Sequence, residues 1–339
     1  MAIRVLHLAG SAVSEFFSEL SLVYARDCLE STAAAGYEFH VALVSPDGRW
    51  RFPVDLSRAA IQLARPMSLA AAIDHLIALR PDVAVPQMFC IPGMTTYRSL
   101  LDLLCIPYVG NTGDVMALTA NKALARAVVA AAGVPVPAGE VLRRGQWPTH
   151  PLPAVVKPVD GDNSVGVSLV RTESEYDNAL AAAFTHSDAA LVESFIELGR
   201  EVRCGIVVTD GELRCLPLEE YAVDRANKPI RQQADKLNEN PNGGLSLVAK
   251  DITKAWIVDP ADPLTGRVWD VAKKCHVALG CRHYSLFDFR IDPSGQPWFL
   301  EAGLYCSFAE KSVLSTMAKA AGIPLDQLFR TAITESTRS

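Results

Sequence analysis

The first third of the chain alternates short β-rich segments with helix-like segments, and this pattern constrains the fold most strongly. Segments 3–8, 39–44 and 82–86 are short, apolar and bounded by turn residues, which is typical of buried strands. Between the last two, residues 68–79 predict a helix with Ser68 as its N-cap and a proline just after its end. Alternating strands and helices predict a parallel sheet with helices on its faces.

The middle of the chain predicts a smaller unit. Residues 114–132 are rich in Ala and Leu and predict one helix, which Gly133 ends. Segments 154–158 and 165–170 resemble strands on either side of a turn-rich loop, and residues 173–184 are again helical in pattern. A β-hairpin with helices of this size predicts a second domain.

The last third is richer in strands. We predict strands over 190–195, 201–208, 213–218, 284–291 and 297–301, and helices over 267–279, 312–321 and 324–334. The polar segment 224–247 is too long for an ordinary loop inside a compact domain, which predicts a mobile functional loop. We therefore expect an α/β fold of three domains, over residues 1–112, 113–194 and 195–339.

Composition excludes several classes of partner. A net charge of -6 over 339 residues argues against nucleic acid, which basic surfaces usually bind. No apolar stretch approaches the ~20 residues that cross a bilayer, and the N-terminus lacks the pattern of a signal peptide. The eight cysteines form no C-x-x-C pair and mostly have apolar neighbours, which predicts reduced, buried thiols in a cytoplasmic protein.

Lys157 and the loop after it form the first candidate site. Lys157 ends a predicted strand, and Gly161 and Gly166 frame the loop that follows. Glycines let backbone N–H groups approach phosphate oxygens, and a lysine supplies the opposing charge. The two glycines have the spacing of a P-loop, but Val167 stands where a P-loop requires lysine. An ordinary hairpin turn after a strand-end lysine is the alternative interpretation.

Asp288 and Glu301 form the second candidate site. They lie on two predicted strands that a turn at residues 292–295 joins, so they should lie nearly opposite each other. Two carboxylates in that arrangement repel unless a cation or a proton lies between them. Mg²⁺ prefers oxygen ligands and takes the rest of its shell from water and phosphate. The alternative is that both carboxylates face solvent.

Three further charged residues could belong to a nucleotide site. Lys122 lies on the predicted Ala-rich helix, and Glu193 and Glu201 flank the segment 194–196. An adenine could lie on the apolar pair Phe195 and Ile196, with a carboxylate beside the ribose hydroxyls. For each charge the alternative is a solvated surface position. The chain contains no G-x-S-x-G, H-E-x-x-H or G-x-G-x-x-G motif, and we assign no histidine to a metal.

Taken in order along the chain, these residues resemble the ATP-grasp fold of the D-alanine–D-alanine ligase family. Residues 103–111, LLCIPYVGN, are similar to the family segment LLGIPYTGS, and residues 300–323 resemble the end of the family's chain. The resemblance covers nearly the whole sequence. Each motif is weak alone, and the ordered set is specific.

The resemblance implies ATP and Mg²⁺ as cofactors and small molecules as substrates, in an enzyme that we expect to be a homodimer. It implies that the ATP phosphates bind Lys122 and Lys157 under a lid containing Gly161, Asn163, Ser164 and Gly166, with Ser164 also in a catalytic role. Glu193, Phe195, Ile196 and Glu201 would bind adenosine, and Asp288 and Glu301 would bind Mg²⁺. Lys236 would reach the γ-phosphate, and Ser312 and Met88 would contact substrate.

Three departures from the family bear on the reaction. Gly303 replaces an Asn that binds a second Mg²⁺, and Leu286 replaces the Arg that stabilises an oxyanion; Arg290 is the candidate substitute, although its spacing differs. Residues 87–95 replace an acidic loop of the family. We therefore expect a more apolar substrate pocket around Met88.

The altered loop, together with Gly10-Ser11-Ala12-Val13, resembles the branch of the family that makes mycosporine-like amino acids. The resemblance implies a ligase that joins Ser, Thr or a similar amine to mycosporine-glycine. Two alternatives stay open at this point: a peptide ligase for two D-amino acids, and a nucleotide-binding regulator that has lost catalysis.

Overall fold

The computed structural model describes residues 2–160, 164–231 and 253–338. In chain order the strands are β1 (Ile3–Gly10), β2 (Tyr37–Val44), β3 (Trp50–Arg51), β4 (Val83–Pro86), β5 (Gly139–Arg143), β6 (Ala154–Pro158), β7 (Ser168–Val170), β8 (Ala189–Ser194), β9 (Arg200–Thr209), β10 (Glu212–Cys215), β11 (Glu219–Tyr221), β12 (Ala255–Ile257), β13 (Tyr284–Ile291) and β14 (Pro297–Ala302). The helices are α1 (Glu15–Thr32), α2 (Arg58–Leu63), α3 (Leu69–Leu79), α4 (Ile91–Met94), α5 (Thr96–Leu103), α6 (Gly113–Ala120), α7 (Lys122–Ala131), α8 (Tyr176–Phe184), α9 (Leu264–Ala278), α10 (Val313–Ala320) and α11 (Leu325–Arg338).

The N-terminal sheet has the order β3-β2-β1-β4, and β1 pairs in parallel with both β2 and β4. The parallel sheet that strand and helix alternation predicts is therefore present. Ser68 caps α3 as predicted, because its Oγ accepts a hydrogen bond from the N–H of Ala71 at 3.4 Å. The mixed α/β fold expected from the sequence is confirmed.

The second sheet has the order β5-β8-β6-β7, and all of its pairs are antiparallel. Its outer face packs on α8 through Val156, Val192 and Leu180. Strand β7 is shorter than the predicted segment 165–170, because a turn with left-handed Gly166 (φ 69) precedes it. A Cβ on Gly166 would lie 2.9 Å from Cγ of Pro158, so this turn requires glycine.

The single helix predicted over 114–132 is wrong, because the structure has two helices, α6 and α7. Asn121 between them is extended (φ -91, ψ 103), and its side chain accepts a hydrogen bond from the N–H of Leu124 at 2.9 Å. Asn121 is thus the N-cap of α7. Lys122 occupies the first turn of α7, and its backbone N–H donates to Val159 O at 2.9 Å, just after β6.

The C-terminal sheet has the order β12-β11-β9-β13-β14, with β10 paired to β9. The side chains of β9 and β13 point alternately to the two faces of this sheet. Apolar residues such as Val202, Cys204 and Phe287 pack in a core that includes residues of α9. Charged residues fill part of the other face. Each of the three sheets formed by the described residues falls within one of the three predicted domains, whose boundaries stay a prediction.

Buried polar contacts join the chain after β4 to the C-terminal sheet. The N–H of Gly110 donates to Nδ1 of His283 at 2.9 Å, and the side chain of Asn111 donates to Tyr284 O at 3.1 Å. Burial, with Arg282 and Arg98 nearby, lowers the pKa of His283 to about 3. The ring is therefore neutral and accepts this hydrogen bond.

The structure bears on two expectations from composition, which concern the cysteines and membrane-spanning helices. All eight cysteines are free, and five of them are buried, but Cys105 is exposed. Among the helices of the described residues, none combines the length and the hydropathy that crossing a bilayer needs.

Candidate functional site

One cavity brings most of the predicted site residues together. Its walls come from the inner faces of the second and C-terminal sheets and from α7. The lining includes Lys122, Lys157, Ser164, Val165, Glu193, Phe195, Ile196, Glu201, Arg231, Asp288, Arg290 and Glu301.

The wall from the second sheet carries a buried ion pair. Lys157 on β6 and Glu193 on β8 lie on the same face, and Nζ of Lys157 is 2.6 Å from Oε1 of Glu193. Both residues are less than a tenth exposed. A charge at this depth needs a partner, and Glu193 supplies it. The pair holds the lysine cation at the cavity wall.

The opposite wall carries a row of charges across four strands. Register places Glu219 of β11 opposite Arg203 of β9, Arg203 opposite Asp288 of β13, and Asp288 opposite Glu301 of β14. Lys122 of α7 continues the row, since its Nζ lies 3.5 Å from Oε2 of Glu301. The predicted opposition of Asp288 and Glu301 is confirmed.

Asp288 lies beside two arginines of this site. Arg203 binds it with two hydrogen bonds, from Nε to Oδ1 and from Nη2 to Oδ2 at 2.7 Å. Burial would lower the pKa of Arg203, but Asp288 and other neighbours raise it well above the usual value. Nη1 of Arg231 lies 3.6 Å from Oδ2 of the same carboxylate.

The Asp288 and Glu301 carboxylates fit a Mg²⁺ ion. Mg²⁺ takes hard oxygen ligands and usually keeps waters and substrate phosphates in its shell. Each carboxylate oxygen has a second lone pair, so the contacts of Asp288 to Arg203 leave acceptor capacity. Within the described ranges no group of three His, Cys, Asp or Glu side chains could hold a metal, and an ion at these two carboxylates would take further ligands from water and phosphate.

Gly303 lies near this site on the segment after β14. A Cβ at this position would meet no atom within 4 Å, and its φ is not positive. The absence of an Asn ligand here is therefore not imposed by crowding. One carboxylate pair remains for metal binding on β13 and β14.

The other end of the cavity carries Phe195, Ile196 and Glu201. Arg290 binds this group: it donates to Oε2 of Glu201 at 2.8 Å and to Ile196 O at 3.2 Å, and its guanidinium lies 5.3 Å from the centre of the Phe195 ring. The proposed substitution of Arg290 for the arginine missing at position 286 is therefore corrected, because the side chain extends toward Glu201. Leu286 itself is 5% exposed, within an apolar cluster.

The two predicted substrate contacts lie elsewhere. Met88 is 2% exposed and packs in the core of the N-terminal sheet with Leu6 and Leu8. Ser312 caps α10, and its hydroxyl donates to Ser307 O at 2.6 Å. Neither residue lines the cavity, because local packing and capping already engage both side chains.

The remaining predictions concern the lid and the polar loop. Ser164 lines the cavity with a left-handed backbone (φ 58), and Gly166 forms the turn beside it. Gly161, Asn163 and Lys236 lie outside the described residues.

Sequence reasoning missed three residues of this site: Arg203, Arg231 and Tyr221. The ring of Tyr221 lies 5.7 Å from the guanidinium of Arg203 and 3.5 Å from that of Arg231. Side chains alternate between the two faces of a strand, so Arg203 lies on the same face of the predicted strand 201–208 as Glu201. This pattern could have identified Arg203 from the sequence. No local pattern marks Arg231 or Tyr221.

Comparisons with known proteins match most of the chain. A family model described as "D-ala D-ala ligase C-terminus" matches residues 128–334. A D-alanine–D-alanine ligase of Citrifermentans bemidjiense is 32% identical over 235 residues, which cover 68% of this chain and 70% of the relative. The D-alanine–D-alanine ligase of Methylorubrum populi is 29% identical over 97% of both chains.

Solved structures show the same fold. The VanG D-Ala:D-Ser ligase of Enterococcus faecalis superposes with a TM-score of 0.78 at 22% identity, over 99% of this chain and all of the other. A D-alanine–D-alanine ligase of Bacillus anthracis complexed with ATP gives a TM-score of 0.72 at 20% identity, over 99% and 98% of the two chains.

Proposed function

Because this chain belongs to the D-alanine–D-alanine ligase family, and is thus a ligase that forms a C–N bond with ATP and Mg²⁺, we propose which molecules it joins. The acceptor is mycosporine-glycine, and the amine is that of Ser, Thr or a similar amino acid. The product is a disubstituted imine of the mycosporine type.

The proposed reaction has two steps. The ring oxygen of the acceptor forms a bond to the γ-phosphorus of ATP as the bond to ADP breaks. The amine nitrogen then forms a bond to the ring carbon, the C–O bond to phosphate breaks, and the amine loses a proton. Phosphorylation is needed because the unmodified oxygen is a poor leaving group.

The residues that line the cavity support a position for each part of the nucleotide. We assign the phosphates to Lys122 and Lys157, the adenine to Phe195 and Ile196, and the ribose to Glu201. Mg²⁺ at Asp288 and Glu301 would neutralise phosphate charge. Positioning and charge neutralisation supply most of the catalysis in phosphoryl transfer, and these residues are of the types that provide both.

The buried position of Leu286 is the main support for the proposed acceptor. This residue lies two residues before Asp288 on the same face of β13, and its side chain packs with Val207, Leu216 and Met317. An acyl phosphate attacked by an amine develops an oxyanion that needs a donor or a cation beside it. A vinylogous acceptor delocalises its charge over the ring, and its reaction tolerates leucine at this position.

The second candidate is a ligase that joins two D-amino acids, and the names of the relatives support it. The two candidates differ in the substrates that cause ATP hydrolysis. Phosphate release is measured with D-Ala, and separately with mycosporine-glycine plus Ser or Thr, and the products are identified by mass spectrometry. Asp288→Asn is the matched control.

We expect phosphate release and an imine product only with mycosporine-glycine and an amine, and neither from Asp288→Asn. Formation of D-Ala–D-Ala would favour the second candidate. MgATP binding without phosphate release across a panel of amines would contradict both and indicate a regulator.

A further inference from the structure

Arg231 lies at the end of the cavity that carries Asp288. Its side chain is 12% exposed and lines the cavity beside Asp288. The centre of the guanidinium lies 3.5 Å from the centre of the Tyr221 ring, which fixes its plane. Arg231 makes no hydrogen bond to any residue in the ranges that the structure describes, and its ion pair with Asp288 is long, at 3.6 Å.

The other three arginines of this region each hydrogen-bond to a carboxylate on a neighbouring strand. Arg203 binds both oxygens of Asp288, and Arg290 donates to Glu201 and to two backbone carbonyls. Arg200, on the other face of β9, binds Glu220 and Asp262. Among the described residues, Arg231 differs from these three arginines because it lines the cavity beside Asp288 without a hydrogen bond to that carboxylate.

The charges around Arg231 indicate what these donors bind. Asp288 already has its bidentate partner in Arg203, so Arg231 is not needed to hold it. Burial would lower the pKa of Arg231, but Tyr221 and Asp288 raise it above the usual value, so the side chain stays charged. A guanidinium presents a planar fork of N–H donors that matches the oxygens of phosphate.

We propose that Arg231 binds the terminal phosphate of the nucleotide and stays with the phosphoryl group as it transfers to the acceptor. The inference rests on the proposed placement of the triphosphate between Lys157 and the Asp288 and Glu301 pair. Charge on the transferring oxygens is then offset by a cation that stacking on Tyr221 has already oriented, and such preorganised charge accelerates phosphoryl transfer.

The contribution of the terminal phosphate can be measured without turnover. Calorimetry gives the affinities of the non-hydrolysable analogue AMP-PNP and of ADP, both with Mg²⁺, for the wild type and for Arg231→Met. Arg225→Met is the matched control, because Arg225 lies in the same segment, donates to Leu198 O and is not among the residues that line the cavity.

We expect Arg231→Met to weaken AMP-PNP on the order of 10- to 100-fold, as loss of a hydrogen-bonded charge implies. The affinity for ADP should change less than about twofold, and Arg225→Met should leave both unchanged. An equal loss for ADP and AMP-PNP would indicate a structural role, and no loss for either would show that Arg231 does not contact the phosphate. Either result overturns the proposal.

Two further variants keep the test informative if Arg231→Met folds poorly. Arg231→Lys retains the charge without the fork and should bind AMP-PNP with intermediate affinity. Added guanidinium ion should restore phosphate release by Arg231→Ala but not raise that of the wild type, and absence of rescue would count against the proposal. Failure of the wild type to bind AMP-PNP would instead overturn the proposed placement of the nucleotide, and the role of Arg231 would fall with that placement.

Discussion

At the scale of single residues, burial decides what each charge in the site can do. The sequence marked Lys157 and Glu193 as separate nucleotide contacts, and the structure pairs them at 2.6 Å. Their pairing could not be derived from sequence, because it depends on the order β8-β6 and on the register of that pair. The pair also means that removing Lys157 has two effects, on folding and on binding.

We expect Lys157→Met to lower the free energy of unfolding by about 3–5 kcal/mol, because Glu193 is left buried and unpaired. The double variant Lys157→Met/Glu193→Leu should regain most of that stability. Both variants should bind ATP on the order of 10- to 100-fold more weakly than the wild type. Urea denaturation and calorimetry check the two effects, and normal ATP affinity in the stable double variant would exclude Lys157 from the phosphate site.

The choice of acceptor is tested at Leu286. Leu286→Arg places a cation two residues before Asp288, and a donor beside a developing oxyanion is worth on the order of 10²–10³-fold in rate. We expect measurable D-Ala–D-Ala synthesis from Leu286→Arg but not from Leu286→Met, which conserves the apolar packing. Quantifying the dipeptide by mass spectrometry gives the answer, and unchanged specificity of the arginine variant would contradict our account of the acceptor.

At the scale of elements, strands were predicted better than the helix that carries Lys122. The segment 284–291 coincides with β13, because a short, fully buried run of residues followed by a clear turn defines it. The break at Asn121 was missed, because the surrounding Ala and Leu residues favour a continuous helix and only the tertiary contact of Lys122 N–H with Val159 O shows where α7 begins.

Asn121 is therefore expected to couple helix capping to nucleotide binding. Asn121→Ala removes the N-cap and should lower the free energy of unfolding by about 0.5–2 kcal/mol. It should also raise KM for ATP, since the first turn of α7 holds Lys122. Asn121→Ser retains a capping hydroxyl and should restore both quantities, which steady-state kinetics and thermal unfolding measure. An unchanged KM in the alanine variant would show that capping of α7 does not affect nucleotide binding.

At the scale of the whole molecule, the sequence predicted the α/β fold but not the contacts that join the parts of the chain. His283, which was not assigned a role, accepts a hydrogen bond from Gly110 across about half of the chain. Only the folded arrangement brings these two residues together. The row of charges from Glu219 to Glu301 likewise depends on the strand order β11-β9-β13-β14.

The pKa of His283 predicts acid sensitivity of the fold. Its folded pKa of about 3 lies below the unfolded value of 6.5, so the unfolded chain binds the additional proton between these values. Stability is thus complete above about pH 6.5 and falls as the pH drops toward 3, by about 2 kcal/mol at pH 5 from this residue. His283→Asn, which tolerates the left-handed backbone, should show a shallower decline in urea denaturation. If the stability of the variant depended on pH in the same way as that of the wild type, His283 would not be the source of the acid sensitivity.

We expect a triphosphate to lie between Lys157 on one sheet and the Asp288 and Glu301 pair on the other. A crystal structure with AMP-PNP and Mg²⁺ tests it most directly. We predict the γ-phosphate within about 3 Å of Nζ of Lys157, and Mg²⁺ about 2.1 Å from oxygens of Asp288 and Glu301. Nucleotide bound elsewhere, or a metal away from both carboxylates, would contradict the account.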